Sequence, residues 1–280
     1  MKSLSSIYLG IFLLNCLVWY WVAVGGPRSY LNLYFMDIGQ GDSALAILPG
    51  GVKILFDGGP DKSLLNDLGK ILPATDRRID LVILSHPQAD HFTGFISLLD
   101  RYEVGYFIWN GRQGETESWK SLASALKEKH VNTLRLMEGD GIKYRESEIK
   151  FLSPDETELG DTELNNTVLA AELFSGGVKT LFIGDIGFDV ERRLAGKYDM
   201  NIDILKVAHH GSKYSSGDEF LAEATPAVSV IQVGKNTYGH PTKDALDRLA
   251  AIGSAIYRND LAGTVHIEAD EGRLNIFKER

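Results

Sequence analysis

The chain has 280 residues, a net charge of −9, 44% hydrophobic and 24% charged residues, and a single cysteine, Cys16. These proportions exclude collagen-like, low-complexity and largely disordered chains, and one cysteine excludes an internal disulfide and a Cys-based zinc cage. The acidic balance argues against a protein whose main task is coating nucleic acid, but leaves room for an enzyme that meets phosphates through metal ions and a few local lysines.

Residues 7–24, IYLGIFLLNCLVWYWVAV, carry no charge, and Asn15 is their only strongly polar side chain. As a helix, such a run spans about 27 Å, close to the roughly 30 Å hydrocarbon core of a bilayer. Lys2 and Arg28 flank it, and Trp19, Tyr20 and Trp21 fall toward one interface, where such rings concentrate. Ala23 and Gly25 form a small-x-small pair suited to signal cleavage. The expectation is two parts: a hydrophobic anchor or signal segment over 1–26, and a body over 27–280. Either use of the segment sends the body out of the cytoplasm, membrane-anchored or secreted. The length of the apolar run favours the anchor.

In the body, residues 31–38 alternate as a strand and lead into the turn Gly39-Gln40-Gly41-Asp42. Strands over 43–48 and 52–56 flank Pro49-Gly50-Gly51, a hairpin signal, and Asp57-Gly58-Gly59-Pro60 ends the second. A helix capped by Asp61 is expected to about residue 72, then a short apolar strand over 79–84, a helix over 91–102 and a strand over 104–109. A helix over 115–130 and two or three strands within 132–152 follow. The aperiodic acidic stretch 153–164 reads as a loop that divides the body into halves. The second half opens like the first, with strands over 168–174 and 178–183 and then Gly184-Asp185. Helices over 187–197, 217–223 and 242–252 alternate with strands over 203–208 and 227–232, and three short strands close the chain. The expected fold class is α/β: two mixed sheets packed face to face with helices outside.

Five of the seven histidines fall in three stretches at strand ends: Ser85 to His91, Ala208 to Lys213, and Tyr238 to Pro241. Such loops are where α/β proteins gather polar ligands. Adjacent Asp90 and His91 can chelate one ion, with His86 reaching a neighbouring position; carboxylate with imidazole suits zinc, manganese or iron. Alone, HxxxDH is more often a polar turn, and Asp185, Asp57 and Asp42 are each more often turn-stabilising residues. His209-His210 could likewise be a chance pair. Gly211, Ser212 and Lys213 after it weaken that reading, because backbone N–H groups and an ammonium there suit a phosphate.

Together, His86-x-Gln88-x-Asp90-His91, Gly184-Asp185 and His209-His210-Gly211-Ser212 resemble the metallo-β-lactamase fold, an αββα sandwich. Phe35 to Asp42, Phe56 to Gly59, Asn165 to Val168, Leu205 to Ser212 and Val233 to Pro241 narrow the likeness to the hydrolase-like domain of ComEC-type DNA-uptake proteins. The resemblance runs in family order from residue 31 to about 260. It implies a metal-dependent hydrolase, a phosphodiesterase or nuclease acting on DNA. The implied cofactor is one or two divalent ions, zinc or manganese. The implied ligands are His86, Gln88, Asp90, His91, Asp185, His209 and His210. Asp90, His209 and His240 carry the implied catalytic roles, with one of the paired histidines or His240 protonating the leaving oxygen. Asp57 would orient a ligand histidine, and Ser212 and Lys213 would meet the phosphate. Two departures stand out: Gln88 occupies the second position of the usual HxHxDH, and Glu163, Asn165 or Asn166 stands where a further histidine is usual. Neutral, oxygen-rich replacements tilt the preference toward manganese or magnesium. The implied partners are DNA, a membrane through the first segment, and a separate uptake channel. The competing readings are a hydrolase of small phosphoesters or lactones, and a metal-depleted DNA-handling accessory module.

Overall fold

The computed structural model describes residues 2–24 and 29–280, with side chains described for 4–20 and 29–280. Helix α1 (Lys2–Val24) exposes every described side chain. Among the described residues no helix is long and apolar enough to cross a membrane. The expected cleavage pair and flank, Gly25 and Arg28 with the side chain of Ala23, lie outside the described residues.

The body is built of two mixed sheets. The first follows the expected order: β1 (Leu31–Phe35), the hairpin β2 (Ala44–Ile47) and β3 (Lys53–Phe56), α2 (Ser63–Ile71), β4 (Arg78–Ile83), α3 (Ala89–Arg101), β5 (Glu103–Trp109), α4 (Glu117–Glu128) and β6 (Asn132–Arg135). The second holds β7 (Gly141–Tyr144), β8 (Ser147–Phe151), β9 (Ala171–Ser175), β10 (Val178–Phe182), α5 (Phe188–Lys197), β11 (Ile204–Lys206), α6 (Asp218–Ala224), β12 (Val228–Ile231), α7 (Lys243–Ala251) and β13 (Ala255–Arg258). A short helix α8 (Asn259–Ala262) then leads to β14 (Val265–Asp270) and β15 (Arg273–Lys278), which return to the first sheet. The orders are β15-β14-β1-β2-β3-β4-β5-β6 and β13-β12-β11-β10-β9-β8-β7. In each sheet an antiparallel hairpin feeds strands that run parallel, β3 to β6 and β10 to β13.

The acidic loop does not separate the two sheets, because β7 and β8 precede it and already belong to the second. The chain changes sheets at Met137 to Asp140, where Asp140 Oδ2 accepts the Met137 N–H at 2.9 Å and the Phe151 N–H donates to the Asp140 carbonyl at 3.0 Å. The loop itself folds into two 3-10 turns, Glu158–Gly160 and Leu164–Thr167.

Three apolar layers follow from the strand alternation. Between the sheets lie Leu33, Phe35, Phe56, Phe151, Phe182 and Ile267, with the Phe56 and Phe182 rings stacked at 3.9 Å. Residues of opposite parity, such as Leu45, Leu55 and Val82, meet Leu64, Phe92, Phe95 and Leu98 of α2 and α3. Leu181, Leu205 and Ile231 meet Val190, Leu194, Phe220 and Leu249 of α5, α6 and α7. Helices therefore cover both outer faces. The carboxyl ends of the parallel strands of both sheets open on one side, and the polar loops gather there.

Candidate metal centre

Sheet one supplies Asp42 after β1, Asp57 after β3 and His86 to His91 after β4; sheet two supplies Asp185 after β10, the histidine pair after β11 and Gln232 after β12. Glycine permits the close approach of these loops. A Cβ on Gly41 would stand 2.3 Å from the Asp90 carbonyl oxygen, and one on Gly211, at φ +80°, would meet Pro241 at 2.6 Å. His209 and His210 take the left-handed conformation, φ 48° and 53°, and turn their rings in different directions.

Asp90, His91, Asp185 and His210 converge so that one ligand atom from each lies within 4.8 Å of all the others. His91 Nε2 is 3.4 Å and His210 Nε2 3.6 Å from Asp185 Oδ2, and His210 Nε2 is 3.4 Å from Asp90 Oδ2. The opposite ring nitrogens are held from behind. His91 Nδ1 meets Asp57 Oδ2 at 2.8 Å, and His210 Nδ1 meets the Gln232 carbonyl at 2.8 Å. Asp57 is itself fixed by the Ser85 N–H and hydroxyl, both at 2.7 Å. This arrangement fixes the tautomers and aims both Nε2 atoms at one point.

A divalent cation fits this donor set. His91 Nε2, His210 Nε2 and Asp185 Oδ1 are buried and without a hydrogen-bond partner. Such atoms cost about 1–3 kcal/mol each unless something pairs with them. Charge points the same way. Burial opposes ionisation of Asp185, but the cationic His210 and His91 outweigh it and hold the carboxyl well below the usual range. Burial likewise opposes protonation of His210, yet the Asp185 and Asp42 carboxylates push it up to about 10, and His91 is raised for the same reason. Protons on these rings balance the carboxylates as a cation would. A second acidic group, Glu138, Asp155 and Glu158, already has its cations: Lys197 and Arg193 reach Glu138 and Glu158 at 2.5 Å.

The other candidate residues are placed as follows. His209 lies at the rim, its side chain one-third exposed, with Nε2 3.9 Å from Asp185 Oδ2 and its ring 5.6 Å from that of His240. The pair is thus split: His210 inside the cluster, His209 at its mouth. His86 is buried, its Nδ1 2.9 Å from the Ser85 hydroxyl and its Nε2 unpartnered; burial pulls its pKa down to about 4. Gln88 points its amide at the Asn165 oxygen, 2.8 Å away. The Ser212 hydroxyl is buried and accepts the Tyr214 N–H at 3.3 Å, so it faces its own turn. Lys213 lies over the Tyr214 ring at 4.9 Å.

Two contributors escape a reading of isolated motifs. Lys206 is buried, ion-paired with Asp42, and donates to the Gly184 carbonyl at 3.2 Å. Asp42 Oδ1 is in turn 3.3 Å from His210 Nδ1. Gln232 bridges the sheets, its amide donating to the Ser43 carbonyl at 2.6 Å. The available signal was a lysine inside the apolar strand Ile204-Leu205-Lys206-Val207, where a charge has to be paired.

Comparison with known proteins agrees with this geometry. Residues 52–210 match the beta-lactamase superfamily domain. The chain belongs to that superfamily. It is 28% identical over 250 residues to ComE operon protein 3 of Bacillus subtilis, covering 82% of this chain and 32% of that protein. Competence protein ComA of Neisseria gonorrhoeae is 29% identical over 261 residues, covering 90% and 35%. The chain thus resembles ComEC-type competence proteins and spans about a third of their length. Among solved structures, the metallo-beta-lactamase fold protein YhfI of Bacillus subtilis superposes with a TM-score of 0.58 at 13% identity, covering 89% of this chain and all of that one. CmlA of Streptomyces venezuelae, a diiron beta-hydroxylase, gives 0.55 at 14% identity, covering 87% and 54%. The metallo-β-lactamase sandwich expected from the histidine motifs is the fold of this superfamily member. The fold supports metal-dependent hydrolysis without fixing a substrate.

Proposed function

We propose that the protein is a metal-dependent phosphodiesterase acting on DNA. The observation that carries this reading is the Asp90, His91, Asp185 and His210 cluster, with its buried unpartnered donors, in a chain similar to competence proteins. A divalent ion held by Asp90, His91, Asp185 and His210 would polarise the phosphoryl oxygens and acidify a water. His91 and His210 present Nε2, while Asp57 and the Gln232 carbonyl hold their Nδ1 sides. His209, whose pKa burial lowers, would accept on Nε2 the proton of the water that bonds to phosphorus and return it to the leaving oxygen as the phosphorus–oxygen bond to that oxygen breaks. His240, beside it, is also lowered by burial and shares that duty. Manganese or zinc is the expected ion. The body is expected outside the cytoplasm, held by α1 at a membrane, and working beside a separate uptake channel.

The chain of residues 1–280 with manganese, zinc or magnesium and labelled single-stranded DNA tests the reading directly. Cleavage that disappears in His210→Ala supports it, and absence of cleavage with every metal rejects it. One observation favours a second reading, a non-hydrolytic DNA-handling module: Gln88 and Asn165 are neutral and bonded to each other beside His86. Elemental analysis separates the two, since that module carries no stoichiometric metal. A panel of chromogenic phosphodiesters and lactones tells a nuclease from a small-ester hydrolase.

A further inference from the structure

Tyr238 is 74% exposed, more than any other large hydrophobic side chain among the described residues. One exposed ring is ordinary on a protein surface and by itself means little; what marks this one is the rigid loop that carries it. Asn236 donates to the Gly234 carbonyl at 2.9 Å and the His240 carbonyl at 2.8 Å, and its Oδ1 accepts the Tyr238 and His240 N–H groups at 3.1 Å. Both ends of the loop are tied to the centre: the Gly234 N–H donates to Gln40 Oε1 at 3.4 Å, and the Thr242 N–H donates to the Gly211 carbonyl at 2.9 Å.

The ring is also aimed. Tyr238 and His240 lie 5.8 Å apart with planes at 31°, His240 and His209 lie 5.6 Å apart, and His209 Nε2 reaches Asp185 Oδ2 at 3.9 Å. A line of rings runs from the open surface to the cluster. A net charge of −9 gives a strand little long-range attraction, so contact energy near the centre has to come from elsewhere.

We propose that Tyr238 is a stacking platform for a base of single-stranded DNA next to the phosphate held at the centre, and that it makes the site selective for unpaired strands. The proposal rests on the DNA reading above and adds its specificity element. A duplex hides the faces of its bases, whereas an unpaired base offers one to the ring. Tyr214, 64% exposed after the histidine pair, is the natural control, because Lys213 already lies over its face.

The test uses the chain of residues 1–280 in detergent with manganese and a fluorescent phosphorothioate oligothymidylate that resists cleavage. An abasic strand of the same length and a duplex are compared by anisotropy. Tyr238→Ala is expected to weaken oligothymidylate binding about tenfold, the size of one lost stack, and to leave the abasic strand unchanged. Tyr238→Trp restores binding, and Tyr214→Ala has no effect. Equal losses on both strands, or none, overturn the platform. Wild-type protein that binds the base-bearing and abasic strands equally overturns it too, with DNA binding intact. Wild-type protein that binds neither strand removes the platform together with the DNA reading.

Discussion

The two sides of the cleft are built by opposite rules. On one side, Asp90, His91, Asp185 and His210 crowd charge and unpartnered nitrogens into a buried space, with Asp57, Asp42 and Lys206 behind them. On the other, His86 is the one imidazole, held by the Ser85 hydroxyl and packed 4.2 Å from the His91 ring, and Gln88 donates to Asn165. The first arrangement is costly unless a cation enters. The second carries no carboxylate and has one open nitrogen, His86 Nε2, so it gains less from one. A single fold can thus hold one strong and one weak position a few ångströms apart, and unpaired charge distinguishes them better than the count of histidines.

Replacing Asp185 should have the largest consequence. Its Oδ2 is the shared neighbour of His91, His210 and His209. In Asp185→Asn, metal affinity is expected to fall by more than the roughly 10- to 100-fold typical of outer positions, and added metal should no longer raise the melting temperature. Titration with a metal-sensitive dye gives the first number and calorimetry the second. Retained stoichiometric metal would break the comparison at its strong side.

Lys206 comes next, and its effect is on stability. Lys206→Met takes away the buried cation nearest Asp42 and leaves that carboxylate only its contacts with His210 and His91, a loss of up to about 3–5 kcal/mol in urea unfolding. Adding Asp42→Asn should recover much of it, because the double variant no longer buries that carboxylate without its lysine. A double variant as unstable as the single one would show that Lys206 acts through packing instead.

These two residues also mark how far the sequence can be read. The strands, the outer helices and the sandwich were legible from two-residue and helical periodicity, because burial enforces both. The histidine stretches were legible because their residue types are rare and fell at strand ends. The switch of sheets before β7 was not, since a turn such as Glu138 to Asp140 looks alike whether the next strand joins the same sheet or the opposite one. Nor did the twin histidines show which of them points inward. That follows from left-handed backbone at both positions and from the Gln232 carbonyl, 22 residues away in the chain. Lys206 needed its partner Asp42, 164 positions earlier, before its burial made sense.

With chelator present, pH should expose the strong side next. His91 and His210 are raised in the folded state, so the stability they confer is complete below about pH 6.5 and is lost as pH climbs toward about 10. Asp90, lowered to about 2 because its contact with His210 outweighs its burial, contributes above about pH 4 and is lost only in strong acid. Metal-free protein should therefore melt at steadily lower temperature between pH 6.5 and 10. Metal-loaded protein should lose less, because the ion replaces protons on the same atoms and binds more tightly as they leave. Parallel melting curves for the two forms would contradict the convergence of the four ligands on one ion.

The smallest effect is expected on the weak side. His86→Ala removes a buried ring whose Nδ1 meets the Ser85 hydroxyl and whose Nε2 meets nothing. Because the Gln88 and Asn165 amides are paired with each other, the ion at the strong side keeps its four ligands, and affinity should fall by less than about tenfold, below the usual outer-position range. What change there is should come through Ser85, which also holds Asp57 and so the orientation of His91. Ser85→Ala should then reproduce the same small loss, and combining it with His86→Ala should add little, since both act through one hydroxyl. A His86→Ala loss as large as that of His91→Ala would mean that the weak side holds metal after all.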